Sequence, residues 1–175
     1  MTTVDHLRKA ALGLPEVAET THFGMLAFAV RGRGFVNLTE DGVVQLQLEQ
    51  EVADEVLAVH PSAERLVRMG TPIGVRVPLG DINGKDLNDL LYRAWASRAP
   101  KRLAAAVAAA RSGEVPARSD LPSQIGKPAT RALLSAGIVT LADVAARSEA
   151  ELRALHGVGP RAVTILEAAL AERGP

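Results

Sequence analysis

The chain has 175 residues, 47% of them hydrophobic, and its 20 Lys and Arg balance 20 Asp and Glu to a formal net charge of +0. This size fits one ordinary domain or two small ones, and the composition predicts a folded chain. The absence of cysteine excludes disulfides, thiolate metal sites, iron–sulfur clusters and a thiol nucleophile. Because no apolar run approaches the roughly 18 residues of a membrane span and no signal-peptide pattern opens the chain, we expect a cytoplasmic protein without membrane contact.

The first hundred residues mix strand and helix patterns. Apolar or alternating runs predict four strands, at 25–30, 35–39, 43–48 and 73–79, with turns at RGRG (31–34) and EDG (40–42). Helices are predicted at 3–12, 49–59, 85–98 and 100–111, the third of them capped by Asn83. Hairpin-length connections between the strands indicate an antiparallel sheet packed by helices, an α+β fold.

A polar segment then interrupts these patterns. It carries Gly113, Pro116 and Pro122, which is typical of a connection between folded units. We therefore predict an α+β domain over residues 1–110, a linker over 111–122 and a second domain over 123–175.

The second domain is predicted to be small and all-α. KPATRALLSAG indicates a helix that stops at Gly137, and Ser148 with Glu151 predicts a capping box at the start of another. The last helix is predicted to begin at Pro160. The regularly spaced apolar positions suffice for one compact core near the lower size limit for independent folding.

The stretch LHGVGPRAV, residues 155–163, places two glycines and a proline between helices. Glycine permits positive φ and close backbone approach, Val158 between the glycines can plug a small core, and Pro160 suits the first turn of a helix. The N–H groups of Gly159, Arg161 and Ala162 are then expected to be free at a helix N-terminus. Such a terminus attracts an anion such as phosphate, and Arg161 adds a positive charge.

This pattern is that of a helix-hairpin-helix. The segment ATRALLSAGIVTLADVAARSEAELRALHGVGPRAVTIL resembles the C-terminal domain of the bacterial RNA polymerase alpha subunit. The resemblance implies contact with DNA through Gly159 and Arg161, and contact with transcription proteins. The chain departs from the family at three positions. Where the family has an arginine, an asparagine and a hairpin serine, this chain has Pro128, Arg131 and Ala162.

The N-terminal domain resembles a second family. Residues 4–104 are similar to MmcQ/YjbR proteins. The stretches that carry the similarity are LPEVAETTHFG, FAVRGRGFVNLTEDG, LQLEQEVADEVLA and DLNDLLYRAWASRAPKRL. The resemblance implies a small α+β domain of a kind often labelled DNA-binding, without a catalytic motif. The strand TPIGVRV lacks the aromatic residue that many members carry there.

Charge is segregated along the neutral chain. Residues 1–92 hold eight cations against thirteen anions, a net of −5, whereas residues 93–118 hold six cations against one anion, a net of +5. The basic stretch can line a DNA backbone or pack as a solvated helix face against the acidic domain, and both interpretations stay open.

We therefore predict a non-enzymatic bacterial protein that contacts double-stranded DNA through phosphates, largely without sequence specificity, in a role related to transcription. The alternative is a protein–protein interaction module, with a component of the transcription machinery as one partner, whose helix-hairpin-helix is structural. No nucleotide-binding or catalytic motif is present, and the four histidines have no metal-ligand spacing, so we expect no cofactor and no metal. The candidate DNA-binding residues are Lys127, Arg131, His156, Gly157, Gly159, Arg161 and Ala162.

Overall fold

A computed structural model describes residues 2–173, whose contacts divide the chain into two compact units, Met1–Pro100 and Lys101–Pro175. The first unit contains helices and strands in the order α1 (Val4–Leu12), β1 (Val17–His22), β2 (Met25–Val30), β3 (Arg33–Leu38), β4 (Val43–Gln47), α2 (Gln50–Val59), β5 (Glu64–Arg68), β6 (Thr71–Pro78) and α3 (Gly84–Arg98).

The six strands form one antiparallel sheet in the order β1-β2-β3-β4-β6-β5. Its register aligns apolar side chains across neighbouring strands, as in the pairs Val36 with Leu46 and Val44 with Val77. These four side chains are fully or almost fully buried, and α3 packs against β3 and β4. Trp95 of α3 is also fully buried, and its indole N–H donates to the Pro15 carbonyl at 3.1 Å.

The expected α+β class with an antiparallel sheet is confirmed for this unit. The four predicted strands correspond to β2, β3, β4 and β6, and Asn83 caps α3 by accepting from the Asp86 N–H at 2.9 Å. The prediction missed β1 and β5. Both lie at the edges of the sheet, and their largely exposed side chains do not alternate between apolar and polar as in a half-buried strand.

The second unit is helical in the part that the structure describes. It contains α4 (Lys101–Ser112), α5 (Lys127–Ser135), α6 (Leu141–Ala145), α7 (Glu149–Ala154) and α8 (Pro160–Arg173), with a 3-10 turn at Ser123–Ile125. The largest buried side chains of its core are Ile125, Leu133, Ile138, Leu141, Val144, Leu152, Val158, Val163 and Leu166.

The division between the units falls after Pro100, earlier in the chain than the predicted linker. We predicted a first domain to residue 110 and a linker over 111–122, but α4 packs on α5, with Ala106 and Ala110 buried against Leu134 and Val139. The segment that follows α4 is also tied to this unit, because the Asp120 carboxylate accepts from the Leu141 N–H at 2.7 Å. Its polar, Pro- and Gly-containing composition resembles a linker, yet it packs on the helices.

Among residues 2–173, none of the helices combines the length and the apolar character that crossing a bilayer requires.

Candidate nucleic-acid interface

The turn between α7 and α8 is set by local signals at both of its ends. Ser148 and Glu151 form the predicted capping box at the start of α7, and Pro160 opens α8 as predicted. Between the helices, the Val158 N–H donates to the Leu155 carbonyl at 3.0 Å, and the Val158 side chain is buried in the core of the unit. The turn is therefore fixed to the core through Val158, while its other residues His156, Gly157 and Gly159 are exposed to solvent.

Gly157 brings this turn against α5. Its φ of +106° lies in the region that favours glycine. A Cβ at this position would lie 3.1 Å from the Pro128 carbonyl oxygen and 3.4 Å from the Ala132 Cβ. Lys127 and Arg131 precede these two contact residues, so they lie on the helix that the turn contacts.

Gly159 differs from Gly157 in both respects. Its φ is not positive, and a Cβ added there would have no atom within 4 Å. The backbone at Gly159 is therefore open to approach from solvent. Glycine is conformationally required at only one of the two positions, which the sequence pattern did not distinguish.

The main-chain donors of the turn only partly match the prediction. In the described part of the chain, the N–H groups of Gly159 and Arg161 have no hydrogen-bond partner. The Ala162 N–H, by contrast, donates to the Gly159 carbonyl at 3.0 Å, and the Ala162 side chain is buried. The expectation of a free N–H at Ala162 is therefore wrong, because an i to i−3 hydrogen bond in the first turn of α8 already uses this donor.

The candidate cations Lys127, Arg131 and Arg161 are all exposed, and none of them forms an ion pair within residues 2–173. The Arg131 guanidinium extends toward the segment after α4, since a Cβ at Gly113 would lie 3.9 Å from its Nη2 atom. His156 is exposed on the turn itself. Three positive charges with no carboxylate partner thus lie on the turn and on the helix that contacts it.

Some of the other cations in the same unit are neutralised. Four arginines form ion pairs, and the pairs are Arg102–Asp143, Arg147–Glu151, Arg153–Glu149 and Arg173–Asp120. The unit as a whole carries ten cationic against seven anionic side chains, a net of +3. Of the cations that form no ion pair in the described residues, Lys127, Arg131 and Arg161 lie on α5 or at the turn, whereas Lys101 and Arg118 lie elsewhere in the unit.

The basic stretch 93–118 spans the division between the two units, and at least three of its six cations have partners inside their own unit. Arg93 pairs with Glu55 and Asp89, and Arg98 donates to Gln47. Arg102 pairs with Asp143.

Asp143 holds the start of another helix of the same core. Burial opposes ionisation of its carboxyl group, but the N–H groups of Val139 and Thr140, the Thr140 hydroxyl and Arg102 together lower the pKa of Asp143 below its ordinary value. The capping box that it forms with Thr140 starts α6, whose Val144 lies in the same core as Val158.

No family model matches the chain, and no curated protein matches it either. Among solved structures, the chain is similar to the crystal structure of Deinococcus radiodurans protein DR2400, whose domain is described as DUF419, a fold of the YjbR/MmcQ type. The two are 27% identical over 55% of this chain and 78% of that one, with a TM-score of 0.48. The assignment of residues 1–110 to the MmcQ/YjbR family and the helix-hairpin-helix interpretation of the C-terminal helices stay predictions.

Proposed function

We propose that the helical unit binds double-stranded DNA through its phosphates, with the turn between α7 and α8 as the contact point. One observation carries the proposal: the unbonded N–H groups of Gly159 and Arg161 lie at the N-terminus of α8, where the exposed Arg161 side chain has no carboxylate partner in the described residues. The pattern apolar-x-Gly-apolar-Gly-Pro-basic, which resembles a helix-hairpin-helix, supports the same interpretation.

The two donors suit a phosphate oxygen for electrostatic and steric reasons. The N-terminus of a helix carries a partial positive charge, and the 14 residues of α8 align their peptide dipoles toward this end. The open space at Gly159 lets an anion reach the main chain. Arg161 follows within the first turn of α8 and supplies a full charge.

Lys127 and Arg131 widen this contact along the backbone of a duplex. The packing of Gly157 on Pro128 and Ala132 fixes α5 beside the turn, so that phosphates on either side of the first one can meet these cations. Phosphate contacts position a protein on DNA but carry no sequence information. The interaction is therefore non-specific, with a Kd of about 10⁻⁴–10⁻⁶ M at physiological salt.

The test is a fluorescence-anisotropy titration of the full-length protein with a random duplex at two salt concentrations. Arg161→Glu should weaken binding strongly, and its fold should survive because an acidic residue in the first turn stabilises a helix. Arg147→Glu is the matched control, since it makes the same change of charge at a cation that Glu151 already neutralises. We expect wild-type binding to fall steeply with salt and the control to bind nearly as well as the wild type.

Two outcomes would overturn the proposal. One is the absence of binding at low salt, and the other is equal binding by the wild type and Arg161→Glu. A stoichiometric protein partner that persists after nuclease treatment would then favour an interaction module, in which the turn serves helix packing alone.

A further inference from the structure

The helical unit contains a groove that DNA binding does not use. It has a volume of about 590 Å³ and lies between the first half of α4 and the segment that follows this helix. Its lining is mainly apolar, from Ala105 and Ala106 of α4, Pro116 of the following segment, and Val139. This volume and this lining fall in the range of sites that hold small organic molecules.

The polar groups of the groove are dominated by cations. Lys101, Arg102 and Arg118 contribute to its lining. The Arg102 guanidinium is held by Asp143 at 2.7 Å. Neither Lys101 nor Arg118 forms an ion pair within residues 2–173, and both are exposed. The groove therefore presents two positive charges without counterions beside an apolar floor.

The start of α4 adds to this positive character. The first turn of a helix favours acidic side chains, because the helix dipole places partial positive charge there. In α4 this turn instead begins with Lys101 and Arg102 and contains no acidic residue. An anion bound in the groove would offset the repulsion between these charges and the helix terminus.

We propose that this groove binds a small organic anion that has an apolar chain or ring, such as a monocarboxylate. The acid group lies by Lys101 and Arg118 at the start of α4, and the apolar part covers Ala105, Pro116 and Val139. The partially buried Thr140 hydroxyl already donates a hydrogen bond to the Asp143 carboxylate. The cations therefore dominate recognition of the acid group of the ligand. This site is independent of the proposed DNA contact, because none of the residues that carry that contact lines the groove.

The lining favours such a molecule over a duplex. DNA phosphates are strongly hydrated and lie on a surface too broad to enter a groove of this volume, so a duplex would leave the apolar floor unfilled. A compact amphiphilic anion satisfies both the charge and the apolar lining.

The experiment is an NMR titration of the full-length protein with decanoate as the probe, followed through the backbone amides. Saturable shifts should be confined to the groove, at Ala105, Ala117 and Thr140. Decanol tests the need for the charge and acetate tests the need for the chain, and we expect both to shift these amides far less. The double variant Lys101→Glu/Arg118→Glu should weaken decanoate binding by about tenfold.

A matched pair of alanine substitutions locates the site. Ala105→Trp places an indole in the groove and should abolish the shifts, whereas Ala108→Trp adds the same side chain at another exposed position of α4, outside the lining. The proposal is overturned if decanoate causes no saturable shift, if Ala105→Trp binds as Ala108→Trp does, or if decanol binds as tightly as decanoate. Weaker binding in both tryptophan variants would also contradict a site in this groove.

Discussion

Replacing Gly157 with alanine should destabilise the helical unit. Its φ of +106° is unfavourable for any residue with a Cβ, and the added methyl group would lie 3.1 Å from the Pro128 carbonyl oxygen. The strained backbone and the close contact together should cost about 2 kcal/mol. For a unit of this size, that cost corresponds to a fall in Tm of about 10 °C.

Gly159→Ala is the paired variant that separates folding from binding. Alanine there meets no atom within 4 Å and needs no unusual φ, so the stability of the unit should stay close to wild type. The methyl group would nevertheless occupy the space through which a phosphate reaches the main chain. We expect a loss of about 1.5 kcal/mol of binding free energy, roughly tenfold in Kd.

Both variants can be measured in the full-length protein. Thermal unfolding followed by circular dichroism gives Tm, hydrogen exchange of peptides from α5 to α8 assigns the change to the helical unit, and anisotropy gives the affinity for DNA. The reasoning is refuted if Gly157→Ala is as stable as wild type, or if Gly159→Ala binds DNA with unchanged affinity.

Further predictions concern salt and pH. Lys127→Ala should reduce the slope of log Kobs against log salt by about 1, because one fewer counterion is released, and anisotropy over a salt series measures this slope; an unchanged slope would place Lys127 away from the phosphates. The folded state lowers the pKa of Asp143 below its ordinary value of 3.8. The ionised Asp143 therefore stabilises the fold at any pH above 3.8, and this stabilisation is lost as the pH falls through the lower pKa of the folded state. Asp143→Asn should therefore be less stable than wild type at neutral pH, and the difference in chemical unfolding should shrink in acid; a difference independent of pH would refute this cause.

Features defined by neighbouring residues in the sequence could be predicted. The Asn83 cap, the Ser148–Glu151 capping box and the start of α8 at Pro160 each depend on side chains a few residues apart. The four strands with apolar side chains were also predicted, because burial imposes a pattern on the sequence.

Features that depend on distant contacts were not predictable in the same way. The edge strands β1 and β5 carry largely exposed side chains, so that only their pairing partners identify them. Alanines such as Ala106 and Ala110 suit either a core or a surface, and their packing on Leu134 and Val139 places α4 in the second unit. At the turn, the different roles of Gly157 and Gly159 depend on the position of Pro128, almost 30 residues earlier in the chain.

The most direct measurement is the response of individual main-chain N–H groups to DNA. In an ¹⁵N–¹H NMR titration with a short random duplex at low salt, the amide protons of Gly159 and Arg161 should shift downfield as they donate to a phosphate, while that of Ala162, already bonded to Gly159, should move much less. Unchanged Gly159 and Arg161 resonances under conditions where DNA is bound would contradict the proposed contact.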